Sequence, residues 1–166
     1  MTEQEFTALY QKNLDKVFRF IYFKVDSPET AQDLTSQVFL KFWQNNQPVK
    51  NPQAFLFQTA RNQVIDFYRQ KDKTPVSLEE LQEQGQEIPQ PSFAVQIELS
   101  FELENLKKAL RRIKNEYSEV IIWYYLDDLS VKEIAEILNK RENNVRVLLH
   151  RALETLKKEV NEKNSV

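Results

Sequence analysis

The chain has 166 residues, among them one glycine, no cysteine and one histidine, His150. Without cysteine it has no thiolate zinc site and no disulfide, and one glycine is too few for a phosphate-binding glycine loop. Charged residues make up 29% and aromatic residues 11%, which leaves enough apolar material for a core. We therefore expect a soluble, mostly helical protein that is not an enzyme and has no cofactor, no metal and no small-molecule substrate.

Acidic residues are concentrated in the middle of the chain, although the formal net charge is only -2. Residues 74–105 hold seven acidic and no basic side chains, which leaves 23 basic against 18 acidic residues elsewhere. Two basic flanks joined by an acidic stretch suit two contacts with a polyanion; merely solvated charge is the competing interpretation. No apolar run is long enough for membrane insertion and the N-terminus has no signal-peptide pattern, so the cytoplasm is the expected location.

The first 73 residues predict three helices with short connections. Apolar side chains recur at helical spacing over 2–25, and Ser27 followed by Pro28 has the features of an N-cap and a first turn for the second helix. Prolines bracket a loop at about 45–51, and the third helix follows it. Because three such helices can share one core, we predict a first domain over 1–73.

Residues 74–92 predict a flexible linker. They lack helical periodicity and contain three prolines and the only glycine of the chain, although a short helix at about 78–82 is compatible with the sequence. Helical spacing resumes after this stretch. We therefore predict a second domain over 93–161.

The C-terminal part has the pattern of two helices joined by a very short turn. Ser130 and Glu133 have capping-box spacing, and Asn139 suits a left-handed turn position. The apolar stripe of the second helix consists of Val145, Leu148, Leu149, Ala152 and Leu156. The opposite face then carries Asn143, Arg146, Val147, His150 and Arg151.

This pattern matches a helix-turn-helix, whose second helix enters the major groove of DNA. A plain helical hairpin of an all-α protein has the same periodicity, so the pattern alone leaves both interpretations open. The predicted fold class is all-α, with an N-terminal helical bundle and a C-terminal helix-turn-helix domain joined by a flexible acidic linker.

Two parts of the sequence resemble a known family. Residues 126–138 and 145–156 resemble the DNA-binding fourth region of bacterial RNA polymerase sigma factors of the extracytoplasmic-function (ECF) type. Residues 31–39 resemble the polymerase-binding helix of the family's second region, and 54–69 resemble its promoter-melting helix. Both resemblances occur in the family order, and they cover about residues 6–72 and 103–158.

The resemblance implies a dissociable subunit that binds RNA polymerase core and promoter DNA. It assigns polymerase binding to Asp33, Leu34, Gln37 and Phe39, although an ordinary core position is the alternative for Leu34 and Phe39. It assigns uptake of the minus-ten element as single strand to Arg61, Asn62, Ile65, Asp66, Tyr68 and Arg69. It assigns minus-thirty-five recognition to Asn143, Asn144, Arg146, His150 and Arg151. The family is often held inactive by an anti-sigma factor, which makes such a protein a candidate partner.

The sequence departs from the family pattern at four positions. Ser36 stands where the family usually has Gln, which predicts a weaker polymerase contact. Val147 and Leu148 replace a small polar residue and an Arg or Lys, so we expect weaker or differently specific minus-thirty-five binding. Lys114 replaces the proline that usually precedes the third-from-last helix.

Two other classes of function compete with this one. A stand-alone helix-turn-helix regulator would explain the C-terminal half but not the pattern in residues 31–39 and 60–69. A helical adaptor that binds only proteins would explain neither DNA-binding resemblance.

Overall fold

The structure is a computed structural model that describes residues 1–45, 47–73 and 101–164. The predicted linker at 74–92, the short helix proposed within it and the beginning of the predicted second domain lie outside the described residues. Within the described ranges the chain is helical and has no strand, which confirms the all-α prediction. The elements are α1 (Glu3–Tyr22), α2 (Pro28–Gln44), α3 (Pro52–Lys73), α4 (Phe101–Arg112), α5 (Asn115–Ile121), a π-helical turn (Ile122–Leu126), α6 (Val131–Leu138) and α7 (Glu142–Asn164).

Helix α1 is shorter than its apolar pattern predicts. A capping box between Thr2 and Glu5 starts it, and it ends at Tyr22 although the pattern runs to Val25. The prediction was wrong here because Phe23 and Val25 remain buried after the helix has ended, as the chain turns toward α2. Burial therefore continues the apolar periodicity into residues that are not helical.

Helices α1, α2 and α3 form the N-terminal group and share one core, as predicted. Ser27 caps α2 by accepting a hydrogen bond from the backbone N–H of Thr30 at 3.2 Å, and Pro28 occupies the first turn. At the start of α3, Asn51 Oδ1 accepts a hydrogen bond from the backbone N–H of Ala54 at 3.1 Å. These caps set where each helix starts and hence which side chains meet in the core. The core includes Val17, Phe18, Ile21, Val38, Phe42, Leu56, Phe57 and Ala60.

Helices α4 to α7 form the C-terminal group, in which α4, α5 and α6 all pack against α7. The turn after α5 is π-helical, because the backbone N–H of Asp127 donates to the carbonyl of Ile122, five residues earlier, at 2.9 Å. Asp128 then adopts a left-handed backbone with φ 56°. This change of direction leads the chain into α6.

The two groups pack against each other over a surface that we call the junction. Helix α3 contacts α6, and α1 contacts the π-helical turn. Trp123 is fully buried there, with its ring centroid 5.1 Å from that of Phe20 and 6.5 Å from that of Phe57. The buried apolar side chains of both groups belong to one continuous core. The junction therefore has an aromatic centre supplied by both halves of the chain.

Candidate nucleic-acid interface

Helices α6 and α7 form the predicted helix-turn-helix. Ser130 Oγ accepts a hydrogen bond from the backbone N–H of Glu133, and Glu133 Oε1 accepts one from the backbone N–H of Ser130, both at 3.0 Å. Asn139 ends α6 in the left-handed conformation, with φ 54° and ψ 47°. The N–H of Lys140 then donates to the carbonyl of Ala135 at 3.0 Å. Both the capping box and the left-handed turn residue were correctly predicted.

Helix α7 buries one side and leaves the other exposed. Val145, Leu149, Ala152 and Leu156 are buried and Leu148 is half-buried, as the apolar stripe predicts. The five residues predicted to bind the minus-thirty-five element are all exposed, namely Asn143, Asn144, Arg146, His150 and Arg151. The face thus presents amide groups near the start of the helix and arginine along it, which suit base edges and phosphates in a major groove.

Two neighbours modify this face. His150 Nε2 lies 3.2 Å from Glu154 Oε1, one turn further along the helix, so a carboxylate is close to the only histidine. Val147 is 43% exposed and offers an apolar group among the polar ones. An apolar side chain in this position can contact a thymine methyl group.

The outward face of α3 is partly free and partly engaged. Asn62, Asp66 and Arg69 are exposed at successive turns of the helix, and Ile65 is half-buried between them. Arg61 differs from these, because its Nε donates to Glu119 Oε2 of α5 at 2.7 Å.

Tyr68 is also engaged at the junction. Its hydroxyl donates to the backbone carbonyl of Lys24 and accepts from Arg111 Nη2 at 3.2 Å. Burial raises the pKa of Tyr68. The structure therefore places all six predicted minus-ten residues on one helix but joins Arg61 and Tyr68 to other protein groups.

A cavity of about 430 Å³ lies beside this face, between α3 and the C-terminal group. Ile65, Tyr68 and Arg69 line it on one side, and Leu110 and Arg111 line it on the other. No acidic side chain of the described residues lines it. The cavity is therefore basic, with apolar walls.

Helix α2 separates the four residues predicted to bind polymerase into two pairs. Asp33 and Gln37 are exposed, whereas Leu34 and Phe39 lie in the core, with 6% and 4% of their surface exposed. Leu40 is 55% exposed and lies on the same helical stripe as Asp33 and Gln37. Sequence reasoning missed Leu40, although an apolar residue outside the buried stripe was a usable signal.

The junction contains two buried ionisable groups with shifted pKa values. Asp127 lies 2.6 Å from Arg19 Nη1, but burial raises the pKa of its carboxyl group from 3.8 to about 7. Lys24 Nζ donates to Asn115 Oδ1 at 2.5 Å, and burial lowers the pKa of this ammonium group from 10.5 to about 8, with Glu119 opposing the shift. Each shift favours the neutral form of the group, as desolvation requires.

Asp26 connects the two groups at the edge of the junction. It accepts hydrogen bonds from Lys71 Nζ of α3 at 2.7 Å and from Arg111 of α4. These two hydrogen bonds lower the pKa of Asp26 to about 2. Because Asp26 is half-exposed, solvent screening limits what this network adds to stability.

The described ranges 1–45, 47–73 and 101–164 contain no group of three histidine, aspartate or glutamate side chains placed to hold a metal ion. Among the helices of those same ranges, none has the length and apolar character needed to span a membrane.

The geometry defines a helical protein with a helix-turn-helix at one end and a second exposed polar helix face at the other. Residues 9–74 match the family model described as Sigma-70 region 2, and residues 103–156 match the model described as Sigma-70, region 4. The chain belongs to the sigma-70 family of RNA polymerase sigma factors and is of the ECF type.

Curated relatives support this membership along nearly the whole chain. The ECF RNA polymerase sigma factor BldN of Streptomyces coelicolor is 31% identical over 156 residues, covering 91% of this chain and 58% of BldN. The ECF RNA polymerase sigma factor SigM of Bacillus subtilis is 28% identical over 151 residues, covering 90% of this chain and 91% of SigM. The chain thus spans little more than half the length of BldN but nearly all of SigM.

Two solved structures share the fold. The sigma factor RpoE, crystallised with the anti-sigma factor NepR from Bartonella quintana, has a TM-score of 0.68 and 20% identity, covering 95% of this chain and 98% of RpoE. CnrH in complex with the cytosolic domain of CnrY has a TM-score of 0.69 and 16% identity, covering 97% of this chain and 90% of CnrH.

Proposed function

We propose that this chain is a dissociable subunit of bacterial RNA polymerase that directs the polymerase to promoters and opens the DNA there. The observation that carries this proposal is the free face of α7 in a chain that also has a matched second region. The polymerase forms the phosphodiester bonds, so the chain needs no catalytic residue of its own. Its place of action is the cytoplasm, where bacterial polymerase meets the chromosome.

We assign minus-thirty-five recognition to the exposed face of α7. Asn143, Asn144 and Arg146 lie near the start of the helix, where side chains of a recognition helix reach base edges. His150 and Arg151 lie about one turn further and suit phosphate contacts. Leu148, half-buried, supplies no cation, so we expect weaker binding than in relatives with Arg or Lys there.

Uptake of the minus-ten element is assigned to the face of α3. Asn62, Asp66 and Arg69 are exposed in one row, and Ile65 offers an apolar surface between them. Unstacking a base costs a few kcal/mol, which stacking, hydrogen bonds and phosphate contacts on such a face can offset.

Polymerase binding is assigned to one stripe of α2. Asp33 and Gln37 offer polar contacts, and exposed Leu40 offers the apolar anchor that a helix-on-helix contact needs. Leu34 and Phe39 support this surface from the core.

An anti-sigma factor is a further proposed partner. RpoE, which shares the fold, was crystallised with one. Copurification of this chain from its own host, followed by mass spectrometry, tests for such a protein, and recovery of polymerase alone would argue against it.

The polymerase assignment is tested by measuring association with purified core polymerase. We expect Asp33→Ala to weaken association, whereas Glu29→Ala, which removes an exposed acid from the same helix, leaves it unchanged. If the wild-type chain does not associate with core polymerase, the proposed function is wrong and a stand-alone regulator or adaptor replaces it.

The DNA assignment is tested by mapping transcription start sites after overexpression and then transcribing one mapped promoter in vitro. Arg146→Ala should reduce the yield about 5- to 150-fold, the equivalent of roughly 1–3 kcal/mol for a base-contacting arginine. Lys108→Ala removes one exposed positive charge from α4 and is the matched control. Equal transcription by both variants would contradict the assignment of Arg146.

A further inference from the structure

The two DNA-binding faces of the chain differ in how the rest of the molecule treats them. The five predicted residues on α7 are exposed, and their only ion pair with a described residue joins His150 to Glu154 of the same helix. On α3, by contrast, the C-terminal group engages Arg61 and Tyr68. One face is therefore open while the other is partly covered.

The contact with Arg61 occupies the group that would bind DNA. Arg61 Nε lies 2.7 Å from Oε2 of Glu119, whose side chain is 2% exposed. A guanidinium pairs with a carboxylate through the same N–H donors that it offers to a phosphate. Glu119 and a DNA phosphate therefore compete for one cation.

A second contact covers the next turns of the same face. The hydroxyl of Tyr68 donates to the carbonyl of Lys24 and accepts from Arg111, and α4 closes the far wall of the cavity beside Ile65 and Arg69. A nucleotide strand laid along α3 would meet α4 and α5 at this point. Single-stranded DNA and the C-terminal group cannot both occupy this face.

The junction is also only partly satisfied. Glu119 Oε1, Trp123 Nε1 and Asp127 Oδ2 are buried and have no hydrogen-bond partner among the described residues. All three belong to side chains that pair or stack across the junction, and separation of the groups would give each atom water as a partner. The aromatic contacts of Trp123 favour closure, whereas these polar atoms oppose it, so the junction is suited to reversible opening.

We propose that the free chain is a self-closed form in which α4 and α5 cover the minus-ten face of α3 while the recognition face of α7 stays available. The closed chain can bind duplex DNA through α7, and it takes up a single strand only after the junction opens. The part that concerns DNA rests on the function proposed above, whereas closure itself does not.

Glu119→Gln is the variant that separates closure from DNA contact. It removes the carboxylate that holds Arg61 but leaves every predicted DNA-binding residue in place. Glu116→Gln is the matched control, because it removes an exposed acid from the same helix and changes the net charge equally. Any gain in DNA affinity that comes from net charge alone will therefore appear in both variants.

Closure is measured without DNA. Because the chain has no cysteine, spin labels placed at Lys12→Cys in α1 and Lys157→Cys in α7 report one distance by pulsed electron paramagnetic resonance. We expect a single narrow distance population in the wild type and in Glu116→Gln, and a second, longer population in Glu119→Gln. A broad distribution in the wild type would overturn the proposal.

DNA uptake is measured with a dye-labelled random single strand of about 12 nucleotides, a length within the range that such sites bind. We expect Glu119→Gln to bind it at least about five-fold more tightly than Glu116→Gln, with equal affinity of both for a random duplex. Opening without any gain in single-strand affinity would refute occlusion, although the chain would still associate with core polymerase if the proposed function is right.

Arg19→Gln tests the same closure from the other side of the junction. It removes the partner of Asp127 in α1 and leaves Glu119 in place, so it remains informative if Glu119→Gln loses helix content by circular dichroism. The longer distance population is expected in this variant too, and its absence from every properly folded junction variant would overturn the proposal.

Discussion

Neutralising Asp127 is expected to change how the stability of this protein depends on pH. The side chain is fully buried beside Arg19, and Lys16 and Asp128 are the other charged groups that act on it. Burial raises the pKa of the carboxyl group from 3.8 to about 7, against the attraction of Arg19. The folded state therefore favours the protonated form of this group at pH values where the unfolded chain has already lost the proton.

The sign of the effect follows from proton binding. Between about pH 4 and pH 7 the folded state binds more protons at this position, so the free energy of unfolding falls as the pH rises. A difference of about 3 between the folded and unfolded pKa values corresponds to about 4 kcal/mol in total. Roughly 2–3 kcal/mol of this loss falls between about pH 5 and pH 7.5.

Urea denaturation at those two pH values measures the loss. The free energy of unfolding of the wild type should fall by roughly 2–3 kcal/mol more than that of Asp127→Asn, which has no proton to release. Asp128→Asn is the control, because Asp128 is an exposed neighbour and asparagine tolerates its left-handed backbone. The same pH dependence in all three proteins would refute a buried carboxyl group with a raised pKa.

Three further changes have expected outcomes. Lys24, whose pKa burial lowers to about 8, should make the free energy of unfolding rise by about 3 kcal/mol between about pH 8 and pH 10.5, a rise that urea denaturation should not find in Lys24→Met. Ser130→Ala removes the cap of α6 and should cost about 1 kcal/mol by thermal denaturation, whereas an unchanged Tm would mean that the capping box contributes nothing. Asp128→Gly relieves a left-handed residue and should raise stability by roughly 0.5 kcal/mol, so a lower Tm would contradict it.

The helix-turn-helix was predictable because its signals are local. The capping box between Ser130 and Glu133 spans one turn, and the left-handed backbone of Asn139 depends on the residue itself. The apolar stripe of α7 fixed its free face without knowledge of what covers the other side. Each of these features is decided by residues within a few positions of one another.

The junction was not predictable in this way, because its partners lie far apart in sequence. Periodicity indicated that Trp123 would be buried, but nothing in its neighbourhood points to Phe20 or Phe57 as the rings that cover it. Arg61 and Glu119 likewise look like two exposed charges on separate helices until packing brings them to 2.7 Å. The predicted separation into domains over 1–73 and 93–161 stays a prediction.

The polymerase-binding set shows a different limit. Resemblance places four residues on α2, but a helix presents only one side to a partner, and the core takes Leu34 and Phe39. A family motif preserves core and surface positions together. Only the packing of α2 against its neighbours separates the two and brings Leu40 into consideration.

The π-helical turn makes the aim of the recognition helix sensitive to chain length. Relative to an α-helix, this turn accommodates one surplus residue within Ile122–Leu126. Removing one of the exposed tyrosines, Tyr124 or Tyr125, would restore ordinary winding and rotate everything after it by about 100° around the axis of α5. Trp123 and Asp127 could then no longer both face the N-terminal group. One residue thus acts as the phase adjustment that lets a single helix meet the aromatic partners of Trp123 and the guanidinium of Arg19 together.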